Sequence, residues 1–149
     1  MFICKAEYDK DYTEIMNELI ESRVIFTEID HNYVNPVSDQ FIPSINQSFS
    51  NRNKWALGEI TDAYSNPYMI FNEYMTYAVY TLYIYDNYSH SELQSYLPRL
   101  ENQMEKDRGF INFKKFNQTL LNHYKQNPKI QMTELYEFIL NWALLENKQ

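Results

Sequence analysis

In 149 residues the sequence has one cysteine, two glycines and three histidines. Cys4 alone forms no intramolecular disulfide, so no disulfide framework holds the chain, and a thiol this close to the start reads as inert. Gly58 and Gly109 cannot build a glycine-rich phosphate cradle, and no nucleophile elbow surrounds any serine, which sets aside nucleotide-binding and serine-hydrolase chemistry of those kinds. Long apolar runs are missing too. The most apolar stretch, 68–85, is interrupted by Asn72, Glu73, Thr76 and Thr81, which suits the central helix of a core better than a membrane span. Basic residues are sparse, with 13 Lys and Arg against 20 Asp and Glu, a net charge of −7. They are also scattered, so a phosphate backbone is not an expected partner. No apolar leader precedes Glu7, Asp9 and Asp11. As written, the chain is therefore expected in the cytoplasm, or secreted or in the cell envelope if an upstream signal belongs to it.

What the sequence does have is aromatic bulk. Fourteen tyrosines and nine phenylalanines supply large packing surfaces, and the tyrosine hydroxyls call for partners inside the fold. From Asp11 the pattern turns helical, with Glu14 as a capping partner. Met16, Ile20, Val24, Thr27 and His31 then follow at steps of four and three, and they predict a first helix to about Tyr33 that Pro36 closes. Residues 35–67 are rich in Ser, Asn, Asp and Pro. They predict a long irregular connection with one short helix around 54–64.

Asn66-Pro67 opens a second long helix, to about Asn87. Ser89 and Glu92 form a capping box ahead of Leu93, Leu97, Leu100 and Met104, a third helix kinked at Pro98 and ended by Gly109. Phe113, Phe116, Leu120 and Tyr124 mark a fourth that stops before Pro128. Thr133 caps a fifth, with Leu135, Ile139 and Trp142 on one face. No stretch reads as a strand. The expected fold class is all-α, one domain over 1–149, a bundle of about five main helices.

Two places aim polar chemistry inward. Helical spacing sets Thr27, Glu28 and His31 on adjoining positions continuous with the first apolar stripe, and leaves Asp30 on another face, toward solvent. A half-buried Glu and His need hydrogen bonds or a metal to offset desolvation. In the second long helix Glu73 is the lone charged residue of 68–85, so it must have a partner, and His31 is a candidate. For His31 the plain structural role is a hydrogen-bonded ring near a helix C-terminus. Glu28, His31 and Glu73 could also form a two-carboxylate, one-histidine set for Fe²⁺ or Mn²⁺. No second Glu-x-x-His exists in the chain to build a di-metal bundle, which disfavours that set. His90 and His123 read as surface or packing residues.

The segment Thr27-Glu28-Ile29-Asp30-His31-Asn32-Tyr33-Val34-Asn35-Pro36 resembles H-E-x-x-H-x-x-V-N-P of an uncharacterised bacterial family of zincin-like metallopeptidases. Asn72-Glu73 is similar to the N-E pair on the glutamate helix of the gluzincin group. Arg108-Gly109-Phe110, followed by an aromatic helix with His123-Tyr124, is similar to the family's closing region. In such sites two histidines one turn apart and a glutamate from a later helix hold Zn²⁺, and the glutamate beside the first histidine activates the metal-bound water.

The resemblance implies His31 as the second histidine ligand, Glu73 as the third ligand and Glu28 as the catalytic general base. Thr27 stands where the first histidine would, and a threonine hydroxyl is a poor zinc ligand, so zinc is expected to bind weakly or not at all. Zincins also grip an extended peptide along a sheet that precedes the motif helix. The roughly ten residues ahead of this helix are too few for such a sheet, so either the chain is the C-terminal part of something longer or that substrate wall is gone. The expected function is a degenerate zincin-like metallopeptidase relative without efficient catalysis, serving as a binding or regulatory module for a peptide or protein. A working metal-dependent hydrolase completed by a ligand from elsewhere, and a purely structural interaction domain, are the alternatives.

Overall fold

Thr13, not Asp11, opens the first helix. Its hydroxyl accepts the Met16 amide at 3.1 Å, satisfying one of the free N–H groups of the first turn. The computed structural model describes residues 9–148, and Cys4 and Glu7 lie outside that range. Helix α1 (Glu14–Ser38) runs past Tyr33 and carries Pro36 inside it. The proline has no amide to offer the preceding turn, yet the helix continues because Val34 and Ser38, on either side of it, are both buried. Asp39 closes the end, its amide donating to the Asn35 carbonyl.

The irregular connection expected over 35–67 is narrower, because α1 takes 35–38 and the next long helix begins at Pro67, and between them the chain breaks into short helical turns. A 3₁₀ turn (Asp39–Phe41), α2 (Ile42–Ser48), α3 (Arg52–Trp55) and a second 3₁₀ turn (Glu59–Ala63) follow one another. The single short helix expected around 54–64 is thus divided between α3 and the second 3₁₀ turn. Aromatic packing decides where these turns sit. Phe49 and Trp55 are fully buried and stack at 4.3 Å between ring centres. The Arg52 guanidinium spans the connection, donating to the Thr61 carbonyl at 2.8 Å.

The four remaining long helices are α4 (Pro67–Asn87), α5 (His90–Asn102), α6 (Phe113–Gln126) and α7 (Met132–Lys148), with a π-helical turn (Gln103–Asp107) after α5. Among the described residues no strand forms, and the fold is all-α. Local signals place α4 and α5. The Asn66 side chain accepts the Met69 amide at 3.0 Å, and Ser89 and Glu92 bond each other's backbones as a capping box. At α7 the helix starts one residue before Thr133, and the Glu134 carboxylate takes the Gln131 amide at 3.1 Å in place of a Thr133 cap.

Helix α4 is the centre of the bundle. Helix α1 lies along it, α5, α6 and α2 pack around it, and α7 closes against α2 and α6. Buried tyrosines find their partners within this core. The Tyr74 hydroxyl donates to the Trp55 carbonyl at 2.6 Å, and Tyr80 donates to the Leu19 carbonyl at 2.6 Å.

Gly109 turns the chain from the π turn toward α6 with φ +77, and the Leu57 amide donates to its carbonyl at 2.9 Å. A β-carbon there would stand 2.1 Å from the Leu57 oxygen. Gly109→Ala therefore meets both a left-handed backbone and a backbone clash, and is expected to cost about 3 kcal/mol of stability. Urea denaturation checks this. A change below about 0.5 kcal/mol would mean the turn relaxes freely.

Candidate functional site

α1 and α4 lie side by side, and the contact brings His31 and Glu73 together, with Nε2 and Oε1 3.6 Å apart. The other carboxylate oxygen is occupied. Arg108, at the end of the π turn, donates from Nη2 to Glu73 Oε2 at 2.8 Å and to the Tyr64 hydroxyl at 2.9 Å. Its guanidinium also lies over the Tyr77 ring at 4.8 Å from the centre. Glu73 is 8% exposed, so a charge-assisted bond of this kind is what makes its burial tolerable. Burial works against the Arg108 charge, but Tyr77, Glu73 and Tyr64 outweigh it and hold the guanidinium's pKa above its ordinary value. Tyr64 is pushed above the usual tyrosine range by burial first and by the Glu73 charge second.

The remaining residues of the expected site do not converge with this pair. Glu28, expected to point inward as a general base, is exposed on the flank of α1 that faces away from the core. Asp30, expected in solvent, is buried at 6% exposure. Thr27 is buried, and its hydroxyl donates back to the Val24 carbonyl at 3.3 Å. His31 stands two turns before the end of α1, so the role of a ring at a helix C-terminus does not apply to it.

The donor set can be tested against a zinc site of the implied kind. Zn–N and Zn–O bonds of about 2 Å place neighbouring ligand atoms roughly 3.3 Å apart, and the His31–Glu73 spacing is compatible with that. A third donor is not in place. Thr27 is engaged with its own helix, Glu28 faces outward, and a guanidinium sits where a cation would have to share Glu73. The residues present do not fit a three-ligand zinc centre. They do not fit the Fe²⁺ or Mn²⁺ set either, since that set needs Glu28 beside His31 and Glu73. Among the described residues no three His, Cys, Asp or Glu side chains come together at metal-binding range.

What the arrangement does chemically is hold charge. Arg108, Glu73, His31, Tyr64 and Tyr77 form one node tying α1, α4, the second 3₁₀ turn and the π turn. Arg108-Gly109-Phe110 could be read in the sequence as a motif, but its link to Glu73 could not, because the two lie far apart in the chain. The glycine conformation explains the motif's layout: it lets Arg108 reach Glu73 while Phe110 enters the core beside Tyr74, with ring centres 5.6 Å apart. A third buried acid, Glu101, is met by the Gln118 amide at 3.0 and 3.2 Å and serves the α5–α6 contact. His123 stacks on Phe138 at 3.6 Å and His90 is exposed, both apart from the node.

Comparisons of the chain with models of known protein families, with curated proteins and with solved structures found no match.

Proposed function

We propose that this chain is a non-catalytic binding domain, a degenerate relative of zincin-like peptidases in which an ion-pair node has taken the place of the metal site. The observation that carries the reading is the grip of Arg108 on Glu73. In a working site Glu73 would offer its charge to the metal, and a guanidinium at 2.8 Å competes for that charge. The outward-facing Glu28 adds to it, because a general base has to reach the water it activates.

Metal analysis tests this reading on wild type, His31→Ala, Glu73→Ala, Thr27→His and Thr27→His/Arg108→Gln, each incubated with zinc and then desalted. The expected result is well under one equivalent of zinc in wild type and in Thr27→His, and a clear gain only when Arg108 is removed as well. About one equivalent in wild type, lost in both alanine variants, would overturn the proposal in favour of a metal-dependent hydrolase.

A further inference from the structure

The other flank of α1 carries a second polar anomaly, independent of the node. Asp30 is nine-tenths buried, and among the described residues its Oδ2 has no hydrogen-bond partner and no neighbouring positive charge offsets its burial. Around it Ser22, Phe26, Ile29 and Tyr33 of α1 and Tyr83 of α4 line an open groove of about 260 Å³. Tyr83 also belongs to an adjoining groove of about 230 Å³, whose far wall includes Met132 and Leu135 of α7. The two make a trough along α4 between α1 and the start of α7. Apart from Asp86, whose carboxylate accepts the Tyr124 hydroxyl at 2.7 Å, its rim is apolar and exposed, with Ile29 at 45% and Tyr33 at 70%.

We propose that this trough docks an amphipathic helix of a partner protein, whose apolar face lies on Ile29, Tyr33, Tyr83 and Met132 and whose lysine or arginine pairs with Asp30. An unpaired buried carboxylate is costly to the folded chain alone, and a cation arriving with a partner supplies the missing half of the pair. The apolar rim gives such a helix its contact area, in the helix-in-groove manner. Charge selects the same occupant. Helix α1 carries Glu14, Glu18, Glu21, Glu28 and Asp30 against a lone Arg23, a field that draws a basic segment and steers its approach. The same field disfavours a second copy of this chain, since an α1–α1 contact would set these carboxylates against their own counterparts.

The test uses a fluorescein-labelled peptide of about 16 residues, leucine on one helical face and lysine on the other, and a matched peptide with glutamine in place of lysine. Anisotropy titrations against wild type, Ile29→Gln and Asp30→Asn give the affinities, and backbone amide shifts map the contact. The lysine peptide is expected to bind wild type, with affinity about tenfold lower for Ile29→Gln and at least about fivefold lower for Asp30→Asn. The glutamine peptide should bind wild type and Asp30→Asn alike, and shifts should gather on residues 22–33, 79–86 and 130–135. Ile29 is at the surface, so its neutral variant keeps the test valid if Asp30→Asn folds poorly. Absence of binding, equal binding by Ile29→Gln, an unchanged affinity in Asp30→Asn, or shifts elsewhere would overturn the proposal. So would sedimentation showing a dimer of the unliganded chain that Ile29→Gln breaks, because the trough would then belong to a second copy.

Discussion

Glu73→Leu is expected to lower stability by about 3 kcal/mol, while Glu73→Leu combined with Arg108→Met should return to within about 1 kcal/mol of wild type. The asymmetry follows from what each change leaves behind. Removing the carboxylate strands a guanidinium whose side chain is only 22% exposed, against Tyr64 and Tyr77 and without its anion. Removing both charges leaves apolar side chains of similar volume among aromatic rings, where little is lost. His31 faces the same carboxylate from 3.6 Å with its side chain 36% exposed, so water replaces that contact cheaply and His31→Ala should cost less than about 1 kcal/mol. Urea denaturation of wild type, Glu73→Leu, Arg108→Met and the double variant, with an unchanged m-value, gives the coupling energy directly. A neutral Glu73→Leu would mean that Arg108 is well hydrated and the node carries no weight.

How much of this was legible in the sequence depends on whether the deciding signal was local. The start of α4 and the capping box of α5 were readable, because Asn66-Pro67 and Ser89…Glu92 satisfy their own helix ends without help from the rest of the fold. Helix α1 was harder. The stripe Met16, Ile20, Val24, Thr27, His31 sets a facing direction, and at 3.6 residues per turn Glu28 and Asp30 stand about 80° to either side of it. A rotation of about 50° then decides which acid is buried, and α4 turns the helix so that Leu19, Arg23, Asp30, Val34 and Ser38 come under it. Asp30 went in and Glu28 came out. Val24, part of the stripe, is 51% exposed for the same reason.

Pro36 was a sound stop signal overridden from a distance. Ser38 is held beyond it by a 2.6 Å bond to the Asn72 side chain, and its hydroxyl lies 3.1 Å from that of Tyr136 on α7. The turns within 35–67 were concealed by composition, since Ser, Asn and Pro look alike in loops and in short helices, and only the buried Phe49–Trp55 stack distinguishes them. Of the candidate site, the meeting of α1 and α4 at His31 and Glu73 could be expected from the residues. The partner that holds Glu73 could not, since Arg108 comes from a turn whose position depends on Gly109 closing over Leu57.

Asp30→Asn is expected to stabilise the chain by roughly 2 to 4 kcal/mol at pH 8 and to change it little at pH 4. Burial pushes the Asp30 carboxyl from 3.8 up to about 7. Between those values the folded chain keeps a proton that the unfolded chain has released, so the contribution of Asp30 to stability is fully present below about pH 4 and is lost as pH rises through 7. That is the reverse of a salt-bridged carboxylate, and asparagine, which does not titrate, removes the slope. Other acids titrate over the same range, so the quantity to measure is the difference between variant and wild type in chemical denaturation from pH 4 to 8. A flat difference would mean that Asp30 already has a partner in the folded chain. A rising difference identifies a residue that costs this domain stability near neutral pH and contributes nothing to its packing that asparagine would not, which is the pattern of a side chain kept for an interaction. The lysine peptide closes the argument, because a cation bound in the trough should pull the Asp30 pKa back toward 3.8 and flatten the wild-type curve as the substitution does.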